Sequence, residues 1–198
     1  MSEIFSIMIT LDLRPDLQLT DQAFEQLCRS NPDLRLERTA QGELIAMAPS
    51  GSETGYYNAD ISGQLWQWNR KLQRGITFDS SAGFTLPNGA IRSPDAAWIE
   101  KSRWEAIPTQ QRRKLASICP DFVIELKSPS DDLSVLQRKL EEYIENGVRL
   151  GWLINPENRQ AFCYRPQQSV EILNNPRNLS GEDVLVGFIL DLRVVWGK

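Results

Sequence analysis

Histidine is missing altogether from the 198 residues. Its absence removes every mechanism built on an imidazole: the Ser-His-Asp triad, the Cys-His pair, the zincin helix and the His-based nucleases. Chemistry in this chain must use carboxylates, Lys, Tyr, Ser or a metal held by oxygen ligands. Cysteine is scarce. Cys28, Cys119 and Cys163 are odd in number, far apart and without metal-ligand spacing. That argues against a disulfide framework and a zinc knuckle, and the three read as small buried apolar residues. No run of about 18 apolar residues occurs, so no transmembrane helix is expected. The stretch Met1–Arg14 is mildly apolar, is interrupted by Glu3 and Asp12, and lacks the basic lead and small-residue cleavage site of a signal peptide. A cytoplasmic protein is the expectation. Basic residues are also in short supply: the net charge is −4 and the pI is about 5.0. That argues against binding nucleic acid through bulk charge, while leaving room for a local basic surface beside an acidic metal site.

Apolar material is plentiful. Hydrophobic residues make up 41% of the chain and six residues are Trp, enough for a core in one domain spanning 1–198. There is no internal repeat. A first helix is expected after Thr20, an N-cap candidate, to about Arg29. Strands Leu34–Arg38 and Glu43–Met47 should follow, joined at a Gln41-Gly42 turn. A long helix is expected from Ser52 to Gly75, with Ile61, Leu65, Trp68 and Leu72 at helical spacing. Strands are expected at Ile76–Asp79, Phe84–Leu86 and Asp95–Ile99, with a turn at Pro87-Asn88-Gly89. Trp104–Ala116 reads as a solvated helix.

Asp121–Lys127 is the strongest strand. Alternation puts Phe122, Ile124 and Leu126 on one face and Val123, Glu125 and Lys127 on the other. A helix from Ser130, with Asp131 and Asp132 in its first turn, should bury Leu133, Leu136, Leu140, Tyr143 and Ile144 and end at Gly147. Leu150–Ile154 is the next strand. Strand, helix and strand at this length form a crossover, so the two strands should be parallel. Gln160–Val195 reads as short strands with Asn and Pro turns. The whole is an α/β protein, a mixed sheet flanked by helices.

Glu125-Leu126-Lys127 places opposite charges two residues apart on one face of an apolar strand. A solvated edge or a salt bridge would explain that. Ser93-Pro94-Asp95 opens another apolar strand, where turn chemistry is the bland explanation. If the two strands are neighbours, Asp95 and Glu125 converge, and two such carboxylates repel unless a cation or a proton lies between them. Mg²⁺ suits one or two carboxylates plus water and phosphate oxygens. Lys127 would then lie beside an attacking water.

Asp with Glu-x-Lys on adjacent strands resembles the PD-(D/E)XK nucleases. The wider text is more specific: Ile91-Arg92-Ser93-Pro94-Asp95-Ala96-Ala97-Trp98, then Pro120-Asp121-Phe122-Val123-Ile124-Glu125-Leu126-Lys127-Ser128-Pro129-Ser130-Asp131, then Glu142-Tyr143-Ile144-Glu145-Asn146-Gly147-Val148-Arg149-Leu150-Gly151-Trp152-Leu153-Ile154. It resembles one bacterial branch of that superfamily, the Uma family of restriction-endonuclease-like proteins, from about Leu19 to Val195. The resemblance implies a restriction-endonuclease-like core, a bound Mg²⁺ or Mn²⁺, and hydrolysis of phosphodiester bonds in DNA. It implies Asp95, Glu125 and the Leu126 carbonyl as metal ligands, with Lys127 beside the water. Many members lack that lysine; its presence favours an intact site.

Glu53, in Pro49-Ser50-Gly51-Ser52-Glu53, resembles a helix glutamate that some superfamily members add to the metal site. Ser50 and Glu53 also have the spacing of a capping box. Gln137 and Lys139 could reach the site, although a solvated helix face is the plainer expectation. Tyr56, Trp66, Arg70, Lys71 and Arg74 could meet a nucleic-acid strand; the expectation is that the aromatics pack and the basic residues solvate the helix. Six Trp and the two cuts of duplex cleavage lead to an expected homodimer. Two other readings stay open: a catalytically inactive nuclease fold that binds DNA or protein, and a metal-dependent hydrolase of another phosphoester.

Overall fold

The computed structural model describes residues 8–15, 17 and 19–197. The opening residues 1–7 of the Met1–Arg14 stretch lie outside the described residues. In chain order the elements are β1 (Met8–Leu11), α1 (Asp21–Ser30), β2 (Arg35–Arg38), β3 (Leu44–Met47), α2 (Ser52–Leu72), β4 (Gly75–Asp79), β5 (Phe84–Thr85), β6 (Ile91–Arg92) and β7 (Ala96–Glu100). They continue as α3 (Lys101–Glu105), α4 (Thr109–Arg112), β8 (Ala116–Ser117), β9 (Phe122–Leu126), α5 (Leu133–Glu145), β10 (Leu150–Asn155), β11 (Gln160–Tyr164), β12 (Glu171–Asn174), β13 (Asn178–Ser180) and β14 (Ile189–Asp191). Where the sequence pattern leads to one mixed sheet, the structure has two six-stranded sheets, ordered β1-β3-β2-β6-β5-β8 and β12-β11-β10-β9-β7-β4, and a small β13-β14 pair.

The second sheet carries the site. Its central pair β9–β10 is parallel, joined through α5 as the crossover requires, and β7 pairs antiparallel with β9. Alternation along β9 decides what each face meets. Phe122, Ile124 and Leu126 pack against Ile61 and Leu65 of α2 and against C-terminal residues including Phe188 and Leu190. Val123 turns to the other side, with Ala97 and Ile99 of β7 and Leu140 and Tyr143 of α5. In the first sheet, Leu36, Leu44 and Ile91 bury Phe24 of α1.

Local chemistry explains most element ends. The Thr20 hydroxyl accepts from the Ala23 amide at 3.2 Å and starts α1. Gly42, Gly89 and Gly147 all have positive φ at the expected turns. Three of the differences from the expected boundaries have a plain local cause. The helix predicted over Trp104–Ala116 is broken into α3, α4 and a strand, because Pro108 has no amide to continue it and biases Ile107 away from helical geometry. Helix α5 starts later than Ser130: Asp132 is its N-cap, accepting from Ser134 N at 2.7 Å, and Asp131 accepts from Ser128 N at 2.8 Å ahead of it. Gly75 does not stop α2. Gln73 does so in the left-handed conformation, and Gly75 opens β4.

The reason for glycine at 75 is spatial. A Cβ there would collide with the Ile99 carbonyl oxygen and the Trp98 indole. Gly63, inside α2, has open space around that position. Gly75→Ala is therefore expected to destabilise by about 1–3 kcal/mol through overpacking, while Gly63→Ala should stabilise by about 0.5–1 kcal/mol by removing a flexible helix residue. Urea denaturation of both variants checks the pair; shifts of the same sign would contradict the β4–β7 packing.

Candidate active site

The β7–β9 register pairs Ala96 with Ile124. Asp95 is the residue before β7 and Glu125 the one after Ile124 in β9, which brings the two acids to the same end of the sheet. Asp95 Oδ2 accepts from the Leu126 amide at 2.9 Å, which fixes the carboxylate against the end of β9. Both acids are buried, and both line a cavity of about 420 Å³ bounded by β2, β3 and α5.

The cavity wall is a chain of opposite charges. Lys139 Nζ, from α5, lies 2.8 Å from Glu125 Oε1 and 2.8 Å from Glu37 Oε1 of β2. Arg92 Nη1 lies 3.1 Å from Glu37 Oε2, and its Nε lies 2.6 Å from Glu142 Oε2. The Tyr143 hydroxyl donates to Glu125 Oε1 at 3.2 Å. Asp95 Oδ1 faces Arg35 Nη1 at 3.3 Å and Asn58 Nδ2 at 3.4 Å.

The buried carboxylates respond differently to this wall. Burial pushes Glu125 up to about 7; Lys139 opposes the shift, while Asp95 and Glu37 add to it. Burial also acts on Glu37, yet Lys139 and Arg92 together, with the Ser93 amide, bring it below the ordinary carboxylate value. Burial works against the Lys139 ammonium, but Glu125 and Glu37 outweigh it and raise its pKa. Lys139 is thus a firm cation, and Glu125 is the acid left short of positive charge.

Of the residues singled out in the sequence, the structure brings Asp95, Glu125 and the Leu126 backbone together. It sets Lys127 and Glu53 apart from them. Strand β9 ends at Leu126, so alternation no longer governs the next side chain. Lys127 Nζ binds Glu157 Oε2 at 2.7 Å and the Ser128 carbonyl at 3.0 Å. It lines a second cavity, with Glu53, Tyr57 and Glu157. Glu53 accepts from the Tyr57 hydroxyl at 3.1 Å. The capping box does not form, since the N-cap of α2 is Gly51. The lysine beside Glu125 is Lys139, which the helical pattern assigned to a solvated face; Gln137 does not line the cavity. Glu37, Arg92 and Arg35 carried no local signal. Tyr56 and Trp66, expected to pack, are exposed, and the Arg70 guanidinium lies 4.9 Å from the Trp66 ring centroid.

Among the described residues no three His, Cys, Asp or Glu side chains converge as a metal-ligating group. A divalent cation held by two carboxylates, a main-chain carbonyl and water needs no third acid. The donor chemistry of Asp95, Glu125 and Leu126 fits that smaller set.

Two mixed sheets flanked by helices define a mixed α/β class of fold. The chain superposes with a TM-score of 0.68 on a structure described as a putative nuclease belonging to DUF820 from Anabaena variabilis ATCC 29413, at 20% identity, over 82% of this chain and 89% of that one. Residues 21–193 match the model of the family described as "Uma2: Putative restriction endonuclease". The chain belongs to that family. Comparison with curated proteins gave no match. No helix among the described residues is long and apolar enough to cross a membrane.

The environment of Glu125 gives stability a definite pH dependence. The unfolded carboxyl releases its proton near 4.5, whereas the folded one holds it to about 7. Between those values the folded state binds more protons, so this group lowers stability as pH rises. Glu125→Gln removes that loss, which at 1.36 kcal/mol per pKa unit is on the order of 3 kcal/mol by pH 7.5. The contribution of Glu37 runs the other way, and both proteins share it. Thermal melts in EDTA from pH 4.5 to 7.5 should show the variant gaining on the wild type; parallel profiles would contradict the charge balance around Glu125.

Proposed function

We propose that the chain is a Mg²⁺- or Mn²⁺-dependent endonuclease that hydrolyses phosphodiester bonds in DNA. The observation that carries this reading is that Asp95 and Glu125 line one cavity, with Lys139 Nζ 2.8 Å from Glu125. The family match and the nuclease-like fold agree with it. Asp95, Glu125 and the Leu126 carbonyl would hold the cation. When bound, it supplies Lewis-acid polarisation of the phosphate and neutralises charge that develops in the displacement.

The side chains do the rest. The Leu126 amide holds Asp95 Oδ2, and Tyr143 holds Glu125 Oε1, so both carboxylates are oriented before substrate arrives. Lys139 stays protonated. Its Nζ donates hydrogen bonds and positive charge toward the attacking water or a phosphate oxygen, and it does not act as a base. Lys127, engaged by Glu157, lends stability at the end of β9. A homodimer, with one site for each strand, completes duplex cleavage; light scattering showing only monomers would remove that element.

The two lysines separate in a plasmid-nicking assay with Mn²⁺. Lys139→Met is expected to lower the rate by about 10²- to 10³-fold, the usual cost of losing one preorganised hydrogen-bond donor to developing charge. Lys127→Ala should retain most of the activity. Both should still bind Mn²⁺ by calorimetry, whereas Glu125→Ala should not. Loss of cleavage in Lys127→Ala alone would return the role to that residue. A wild-type protein that neither binds Mn²⁺ nor cuts DNA would favour the non-catalytic module.

A further inference from the structure

Three cations hold the carboxylates of the cavity, and they are not equivalent. Lys139 divides one ammonium between Glu125 and Glu37, and Arg92 has Nε on Glu142 and Nη1 on Glu37. Both side chains are nearly buried. Arg35 differs in three respects. Its contact with Asp95, at 3.3 Å, is longer than theirs, its side chain is 30% exposed, and its Nε is buried with no hydrogen-bond partner. Nη2 donates to the Ser93 carbonyl at 3.0 Å and fixes the plane of the guanidinium.

Asn58 repeats the pattern on the other side of Asp95. Its Nδ2 faces Asp95 Oδ1 at 3.4 Å, and its Oδ1 is buried without a partner. Turning the amide over would set its oxygen against the carboxylate, so the orientation is held. Arg35 lines the cavity beside Asp95 with its Nε unused, whereas Asn58, on α2, flanks Asp95 from outside the cavity lining. A buried polar atom without a partner is costly, and an anionic oxygen ligand in the cavity would relieve that cost at the guanidinium.

We propose that Arg35 is the phosphate-binding arm of the cavity, its guanidinium receiving a non-bridging oxygen of the phosphodiester. The proposal rests on the nuclease reading above. A guanidinium fork matches phosphate geometry in a way that an ammonium does not. The long Asp95 contact is the one that yields when Asp95 takes up a divalent cation.

Two measurements on the full chain test this: anisotropy of a short fluorescent DNA duplex in Ca²⁺ across a KCl series, and calorimetry with Mn²⁺ alone. Arg35→Met should weaken duplex binding by about tenfold or more. It should also flatten the slope of log K against log salt by about 0.9, the signature of one lost phosphate contact. Mn²⁺ affinity should hold or rise, because a competing cation beside Asp95 is gone. Arg35→Lys should keep the slope and lose affinity several-fold, and it decides the matter if the Met variant does not fold. Wild-type affinity and slope in Arg35→Met, or wild-type affinity in Arg35→Lys, overturns the proposal. So does Mn²⁺ affinity that falls in step with duplex affinity, because Arg35 would then only prop Asp95. If the wild type binds neither duplex nor Mn²⁺, the nuclease reading falls and this proposal with it; if the wild type binds both, only the role of Arg35 is at stake.

Discussion

Glu37 and Glu125 come from different sheets, and one ammonium lies within hydrogen-bond distance of both. Much of the molecule is arranged around that contact. A buried ion costs several kcal/mol in lost hydration unless its partners are well placed, so β2, β9 and α5 must meet in one geometry for any of the three charges to be tolerated. Apolar contacts could have joined the same elements, but they would have filled the space that is now a cavity. Joining them through charge leaves the space open and lined with oxygen and nitrogen atoms.

The same contact sets the chemical character of the two acids. Glu37 has Lys139, Arg92 and a backbone amide, and it remains a carboxylate. Glu125 shares Lys139 and faces Asp95, so its charge is incompletely balanced. Neutralising the wall fully would weaken its attraction for a further cation; leaving it bare would add several kcal/mol of uncompensated burial. The observed balance lies between those limits, with Glu125 as the residue on which it turns.

Much of this was readable from residue order. The β9–α5–β10 crossover followed from alternation, helical spacing and Gly147, and the nearness of Asp95 to Glu125 followed from two apolar strands that each end in an acid. Lys127, the first residue past β9, lies against Glu157 and not beside Glu125, a placement that alternation along the strand did not give. Lys139 was visible as a helix residue, but only the fold shows that its side chain turns inward to two acids. Glu37, Arg92, Arg35 and Asn58 are isolated polar residues whose meaning lies in partners tens of residues away. No local pattern encodes such contacts. The break of the expected helix at Pro108 was a local signal that the hydrophilic run around it outweighed.

The order of the site along the chain has a consequence for assembly. Asp95, Glu125 and Lys139 lie within one continuous stretch of β7, β9 and α5, whereas Arg35 and Glu37 come from β2 near the other end. Contacts between near neighbours in sequence close cheaply and early in folding, and distant ones come later. The Glu37–Lys139 contact spans 102 residues of chain, so of the two contacts Lys139 makes it closes the longer loop at the greater entropic cost. An opening that lifted β2 away would leave Lys139 with Glu125 alone and take Glu37 out of the cavity wall.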